Sequence, residues 1–211
     1  MPSTASRRPG RPPAAKADET RKRILRAARE VFSERGYDGA TFQEIAVRAD
    51  LTRPAINHYF SSKKLLYCDV VDQTNELVVA NGIQNAKRAL RLMDRLSEFI
   101  AVVMRASSED PSVSPFLVTA VLESQRHPEL SRNENDAVAI SRVFLNWAVN
   151  DAIERGELKA DTDVPSLAET LLIVLVGVGF YAGYLGNYQE MRAVIETLRR
   201  LLEGAFWERG A

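Results

Sequence analysis

An all-α fold, with a small basic helix-turn-helix unit ahead of a longer helical body, is what this 211-residue chain predicts. Three observations carry the expectation. Apolar residues recur at helical spacing through most of the chain, and almost no segment shows the strict alternation of a strand. Two short helix signals follow one another across a gap of about three residues near Asp50. The charge is divided: residues 1–64 hold 14 Lys/Arg against 7 Asp/Glu, and residues 65–211 hold 14 against 21. A front of +7 and a back of −7 cancel to the zero net charge of the whole. Such a front suits a polyanionic partner, whether nucleic acid, an acidic protein or an anionic surface.

The composition, 45% hydrophobic and 27% charged, is that of a globular protein and excludes a disordered or fibrous one. A single cysteine, Cys68, leaves no intramolecular disulfide and no multi-cysteine zinc site, which fits a reducing cytoplasm. The opening MPSTASRRPGRPPAAK is polar and proline-rich, without the apolar stretch of a secretory signal.

In chain order, residues 1–17 read as a flexible basic arm with four of the nine prolines. Asp18 opens a first helix. It is striped by Ile24, Ala27, Ala28, Val31 and Phe32, with Lys22, Arg26 and Arg29 on the opposite face and Gly36 as its stop. Asp38-Gly39 reads as a turn. Thr41 and Glu44 have capping-box spacing for a second helix that buries Ile45, Ala46 and Ala49 and ends near Asp50. Thr52 caps a third, Arg53 to Tyr59, with Pro54 in its first turn. Ser62 caps a fourth, beginning Lys63-Lys64-Leu65-Leu66. Later stripes are Leu92–Val103, Phe116–Gln125, Ala137–Trp147, Val164–Gly186 and Met191–Ala205. Ser107–Pro115 and Asp161–Pro165 read as connections, and the total is about nine helices.

A second short helix of a helix-turn-helix enters the major groove, and its exposed side chains meet base edges. Ile45, Ala46, Ala49, Leu51 and Ile56 supply the buried side here, which leaves Arg53, Ala55, Asn57, His58 and Tyr59 outward. Arginine can fork to guanine, asparagine to adenine, and alanine can touch a thymine methyl. Residues 19–66 also resemble the N-terminal domain of the TetR family of bacterial transcriptional regulators. The matching positions are Ile24, Ala27-Ala28, Phe32, Gly36, Thr41, Glu44-Ile45-Ala46, Ala49, Leu51-Thr52, Tyr59-Phe60, Ser62-Lys63 and Leu66. Asp50 departs from the family's turn glycine, and Asn57 from its usual aromatic residue. The resemblance implies DNA contacts by Thr41, Gln43, Thr52, Arg53, Pro54, Ala55 and Asn57, by His58 and Tyr59, and by Lys63 on phosphate. In the arm, Arg8-Pro9-Gly10-Arg11-Pro12 is similar to an AT-hook. Arg8 and Arg11 are then expected in an A·T-rich minor groove, with a solubilising tail as the alternative.

The back segment, 65–211, is expected to dimerise and to bind an effector; 18–64 is the DNA-binding unit. Leu171–Gly186 is apolar but short for a membrane span, so it reads as a core helix and no membrane is expected. Gly179 and Gly183, four apart, and Val194, Leu198 and Leu201 on the last helix are the expected dimer face. In the family, bulky residues of the middle helices line a small-molecule pocket. Phe99, Met104, Phe116, Val121, Phe144, Trp147, Phe180, Tyr181 and Tyr184 are the candidates here, and their apolarity predicts a largely apolar ligand. His58 and His127 are the only histidines, and no HExxH, GxSxG or phosphate loop is present. No enzyme, metal or cofactor is therefore expected. The expected protein is a cytoplasmic, nucleoid-bound homodimeric regulator, a repressor on a palindromic operator. The alternative is a helical ligand-binding or scaffold protein whose basic front meets an acidic partner.

Overall fold

The computed structural model of the chain describes residues 13–130, 136–185, 188–202 and 204. Helix α1 (Pro13–Gly39) begins five residues before Asp18, so the helix takes in residues 13–17 of the expected arm. Ala14, Ala15 and Ala17 are the best of helix formers, and Pro13 occupies the first position, where its missing N–H costs nothing. Residues 1–12, with Arg8 and Arg11, lie outside the described residues. Gly36 breaks the helical dihedrals at φ 69°, ψ −179°, and one more turn follows to Gly39.

Helix α2 (Phe42–Arg48) and helix α3 (Arg53–Tyr59) are each capped as expected. Thr41 Oγ1 accepts from Glu44 N at 3.1 Å and Thr52 Oγ1 from Ala55 N at 3.4 Å. The reciprocal half of the capping box is replaced: the Glu44 carboxylate accepts from Arg35 Nε of α1 at 3.3 Å. Helix α4 (Lys63–Asn75) is capped by Ser62. It runs without a break through a π-helical turn, Glu76–Ala80, into α5 (Asn81–Ala86). Then come α6 (Leu92–Glu109), α7 (Val113–Arg126), a 3₁₀ turn at Pro128–Leu130, α8 (Ala137–Glu154), α9 (Val164–Leu185) and α10 (Tyr188–Leu202). With α4, its π turn and α5 taken as one rod, nine continuous helices stand among the described residues, and no strand.

The expected loop at 107–115 shrinks to three residues. Ser107 stays helical with its hydroxyl on Val103 O at 2.9 Å, and Asp110 Oδ1 accepts from Ser112 N at 3.0 Å to turn the chain. Pro115 then stands in the first turn of α7, which tolerates it.

Two apolar clusters organise the molecule. The front one packs α1 (Ile24, Ala28, Val31, Phe32) against Ile45, Ala46, Ile56 and Leu66. It also draws in Phe116 from α7, fully buried against the Tyr67 ring at 5.9 Å. Phe116 is thus a front-core residue and, contrary to expectation, does not line the apolar cavity between α6, α7, α8 and α9. Its ring fills the seam between the α1–α4 unit and the body. The rear cluster joins Val78, Leu96, Phe99, Phe144, Leu145, Leu171 and Leu172 from the π turn, α6, α8 and α9.

Arg29 also departs from expectation. Helical spacing puts it on the polar face of α1, but it is only 3% exposed. Its guanidinium donates to Thr74 Oγ1 at 3.1 Å, Gln73 Oε1 at 2.6 Å and Asp110 Oδ2 at 2.8 Å. Burial pulls its pKa down against the opposing pull of Asp110. The residue ties α1 to α4 and to the α6–α7 turn, and nothing within α1 itself signals this.

Candidate nucleic-acid interface

The connection between α2 and α3 is a Schellman turn. Asp50 N–H bonds Val47 O at 3.1 Å and Leu51 N–H bonds Ala46 O at 2.9 Å, with Asp50 at φ 51°. Aspartate tolerates this left-handed conformation better than most residues, so the turn forms where the family's usual glycine is missing. Ile56 is fully buried and Phe60 4% exposed, and these two anchor α3 by one face.

The other face of α3 is open. Thr52, Arg53, Pro54, Asn57 and His58 are exposed, and Ala55 and Tyr59 are half-buried at the edges. Arg53 and Asn57 are four residues apart, so they stand one above the other along the rod. Arg53 has no ion-pair partner among the described residues. His58 lies edge-on to Tyr59 with ring centroids 5.6 Å apart. Thr41 and Gln43, at the start of α2, are also exposed. The two helices are held on α1 by the Arg48 guanidinium, 2.7 Å and 2.9 Å from the Glu34 carboxylate oxygens. That pairing holds the Glu34 carboxyl below its ordinary range.

Lys63 is used internally. Its Nζ donates to Tyr37 O at 2.7 Å and to Asp38 O and Ala40 O at 3.2 Å each, and it lies 4.5 Å from the Tyr37 ring centroid. An ammonium has three protons, and all three are taken by carbonyls at the end of α1. The neighbouring Lys64 is exposed.

A cavity of about 300 Å³ lies between the π turn, α6, α7, α8 and α9. Of the expected pocket residues it is lined by Phe99, Val121 and Phe180. Val103, Leu117 and Leu172 line it too, and an aliphatic residue on a middle helix looks like ordinary core in sequence; Ser141 also lines it and carries no sequence signal of that position. Phe144 and Trp147 face a different, open groove beside α5. Met104 is buried in the rear core. Tyr181 and Tyr184 stack on each other, with centroids 6.0 Å apart, on the outer surface.

The expected dimer residues divide as well. Val194 and Leu201 are exposed, whereas Leu198 packs toward the rear core. Gly183 serves the protomer itself: a Cβ there would meet Pro115 N at 3.2 Å, so its bareness lets α9 approach α7. Gly179 has nothing within 4 Å. The outer stripe of α9 is instead Ile173 (71% exposed), Val176, Phe180 and Tyr184 (77%), at i, i+3, i+7 and i+11. Its Val164–Tyr184 stretch is long and apolar enough to cross a membrane by length and composition, with 28% of its most apolar window buried in the protomer.

Comparison with known proteins places these features. The family model described as "Bacterial regulatory proteins, tetR family" matches residues 24–68, and "Tetracyclin repressor-like, C-terminal domain" matches residues 93–198. The regulator UidR of Escherichia coli K12 is 25% identical over 162 residues, covering 77% of this chain and 81% of its own. SrpR of Pseudomonas putida is 26% identical over 197 residues, covering 92% and 86%. A TetR regulator of Chloroflexus aurantiacus superposes with a TM-score of 0.71 at 22% identity, covering 90% of this chain and 96% of its own, and shares the fold.

Proposed function

This chain belongs to the TetR family of bacterial regulatory proteins, and from that premise we propose that it is a homodimeric repressor that a small, largely apolar effector releases from a palindromic operator. It is a DNA-binding transcriptional regulator and not an enzyme. The observation that carries the DNA-reading part is the open face of α3, where Arg53 and Asn57 stand unburied on a helix that Ile56 and Phe60 lock in place. Those two side chains read bases; Thr41, Gln43, Thr52, Pro54, Ala55, His58 and Tyr59 set the helix in the groove. The cell compartment is the cytoplasm, where the chromosome lies.

Two further features support the rest of the reading. The exposed stripe from Ile173 to Tyr184 on α9, and the exposed Val194, Leu201 and Leu202 on α10, are apolar surface of the kind that pairs with a copy of itself. A second copy suits it better than lipid, since the inner side of α9 (Leu171, Leu172, Leu175) belongs to the rear core. A dimer also supplies the second recognition helix that one short rod needs to hold an operator. The cavity beneath α9, lined almost wholly by aliphatic and aromatic side chains, suits an apolar effector.

Selection of random duplex DNA over several cycles at moderate salt tests the reading. The wild-type chain enriches a two-fold symmetric site, and the Arg53→Ala/Asn57→Ala double variant, equally folded, enriches none. Enrichment by the double variant, or none by the wild type, overturns it.

A further inference from the structure

The rod that joins the DNA-reading unit to the body carries one residue more than an unbroken α-helix would hold. Glu76 N–H bonds Asp72 O, four residues back, but Asn81 N–H reaches Glu76 O, five residues back. The backbone stays helical through this π turn, with Asn75 at φ −62°, ψ −40° and Asn81 at φ −65°, ψ −38°. One inserted residue turns everything beyond it by about 100° relative to a continuous α-helix. Such turns are rare, occur singly inside α-helices and cluster at functional sites.

The turn is clamped from both sides. Upstream, Gln73 and Thr74 of α4 hold the Arg29 guanidinium, which belongs to α1 and also donates to Asp110 of the α6–α7 turn. Downstream, the Gly82 backbone of α5 lies against α6: a Cβ there would stand 2.8 Å from the Phe99 ring. The two apolar clusters also divide along the rod. Leu66, Tyr67, Val70 and Val71 pack with the front, and Val78, Ile83 and Ala86 with the rear. The π turn therefore lies where the rod leaves one core and enters the other. Val78 and Val79 are the rod's contribution to the lining of the apolar cavity. Glu76 and Ala80, in the same turn, border the open groove beside α8. The turn thus has the cavity on one side and room to move on another.

We propose, resting on the effector reading above, that this π turn is the hinge of the effector response: an apolar molecule in the cavity beneath α9 displaces Val78 and Val79 toward the groove, and α4 moves while α5 stays seated on Phe99. The signal passes through Arg29. Its guanidinium is shared between α4 and the α6–α7 turn, so a displaced α4 redistributes those bonds and shifts α1 with the helices it carries. The effector acts only as far as it prefers the displaced rod. A continuous α-helix has no such point of give, since sharp bends need a break in its bonding pattern.

A tethered hexyl group stands in for the effector. Ser141→Cys in a Cys68→Ala background puts a thiol on the wall of the apolar cavity, and hexyl methanethiosulfonate fixes the group there, as intact mass confirms. Leu122→Cys, at an exposed lining position, serves if the first thiol is not labelled. The tether weakens binding to the selected operator at least about tenfold. Deletion of Leu77, an exposed residue of the turn, restores an unbroken α-helix. The shortened chain binds the operator, and the tether then changes its affinity by less than about twofold. An equal loss with and without Leu77 overturns the hinge and leaves the effector reading standing. No loss in either chain overturns both. Hydrogen exchange of the full chain needs neither the deletion nor DNA, and it decides if the shortened chain fails to fold or to bind. The tether changes exchange at amides 77–81 by at least about tenfold and leaves 83–86 unchanged. Unchanged exchange at 77–81 overturns the hinge.

Discussion

Arg53 and Asn57 owe their availability to what surrounds them: α3 is only seven residues long, and its inward side is satisfied by Ile56 and Phe60. Replacing Asn57 by alanine lowers operator affinity by about 1–3 kcal/mol and relaxes preference at one base position. Binding titrations against single-base operator variants measure both, with an unchanged melting curve as control. Lys63 has the opposite character. The resemblance implies a phosphate contact, yet its three protons are spent on the carbonyls of Tyr37, Asp38 and Ala40. Lys63→Met therefore lowers folding stability by about 1.5–3 kcal/mol, the range for hydrogen bonds to a charged group. The slope of log affinity against log salt changes by less than the ~0.9 of one phosphate contact. A full loss of that slope increment would restore the phosphate role.

At the scale of elements, the junction between α1 and α7 is held by a strained glycine and a shared carboxylate. Gly36 takes φ 69°, and a Cβ there would come 2.7 Å from Glu123 Oε1, the same oxygen that accepts from Tyr37 N at 3.3 Å. His127, which caps the C-terminus of α7, closes the other side, with Nε2 3.2 Å from Asp38 Oδ2 and 3.5 Å from Glu123 Oε2. Gly36→Ala destabilises the chain by about 1–3 kcal/mol through backbone strain and displacement of Glu123; urea denaturation reads it. The Tyr67 ring meets those of Phe32 and Tyr37 edge-on at the junction, with centroids 5.0 Å and 5.2 Å away. Burial raises the pKa of Tyr67 far above that of an exposed phenol. Arg29 is the second tie between the front and the body. Arg29→Leu leaves Asp110, Gln73 and Thr74 without their shared donor and costs about 3 kcal/mol, as removal of one partner of a buried ion pair does. It is measured by the same urea titration.

For the whole molecule, the decisive surface is the outer face of α9 and α10. If the proposed dimer forms through it, Ile173→Glu with Phe180→Glu places two charges there and the chain sediments as a monomer where the wild type sediments as a dimer. Operator affinity falls with it, since half of the two-site contact is lost. A wild-type chain that sediments as a monomer at micromolar concentration would remove the basis for a palindromic operator. The same face illustrates how a pattern misleads: Gly179 and Gly183 suggest close helix contact, and the contact of Gly183 is real, but it lies inside the protomer against Pro115.

What could be read along the chain is what depends on neighbours a few residues away. The caps Thr41, Thr52 and Ser62, the turn at Asp50, the burial of Ile45 and Ile56 and the openness of Arg53 and Asn57 all follow from local spacing, because helix signals span one or two turns. What could not be read depends on partners far apart in sequence. Arg29 meets residues 44 to 81 positions away, Phe116 joins a core built by the first seventy residues, and the apolar cavity is lined by five helical segments. A one-dimensional pattern reports which side chains avoid water. It does not report which distant side chain they avoid it with, and that choice is made only when the helices pack.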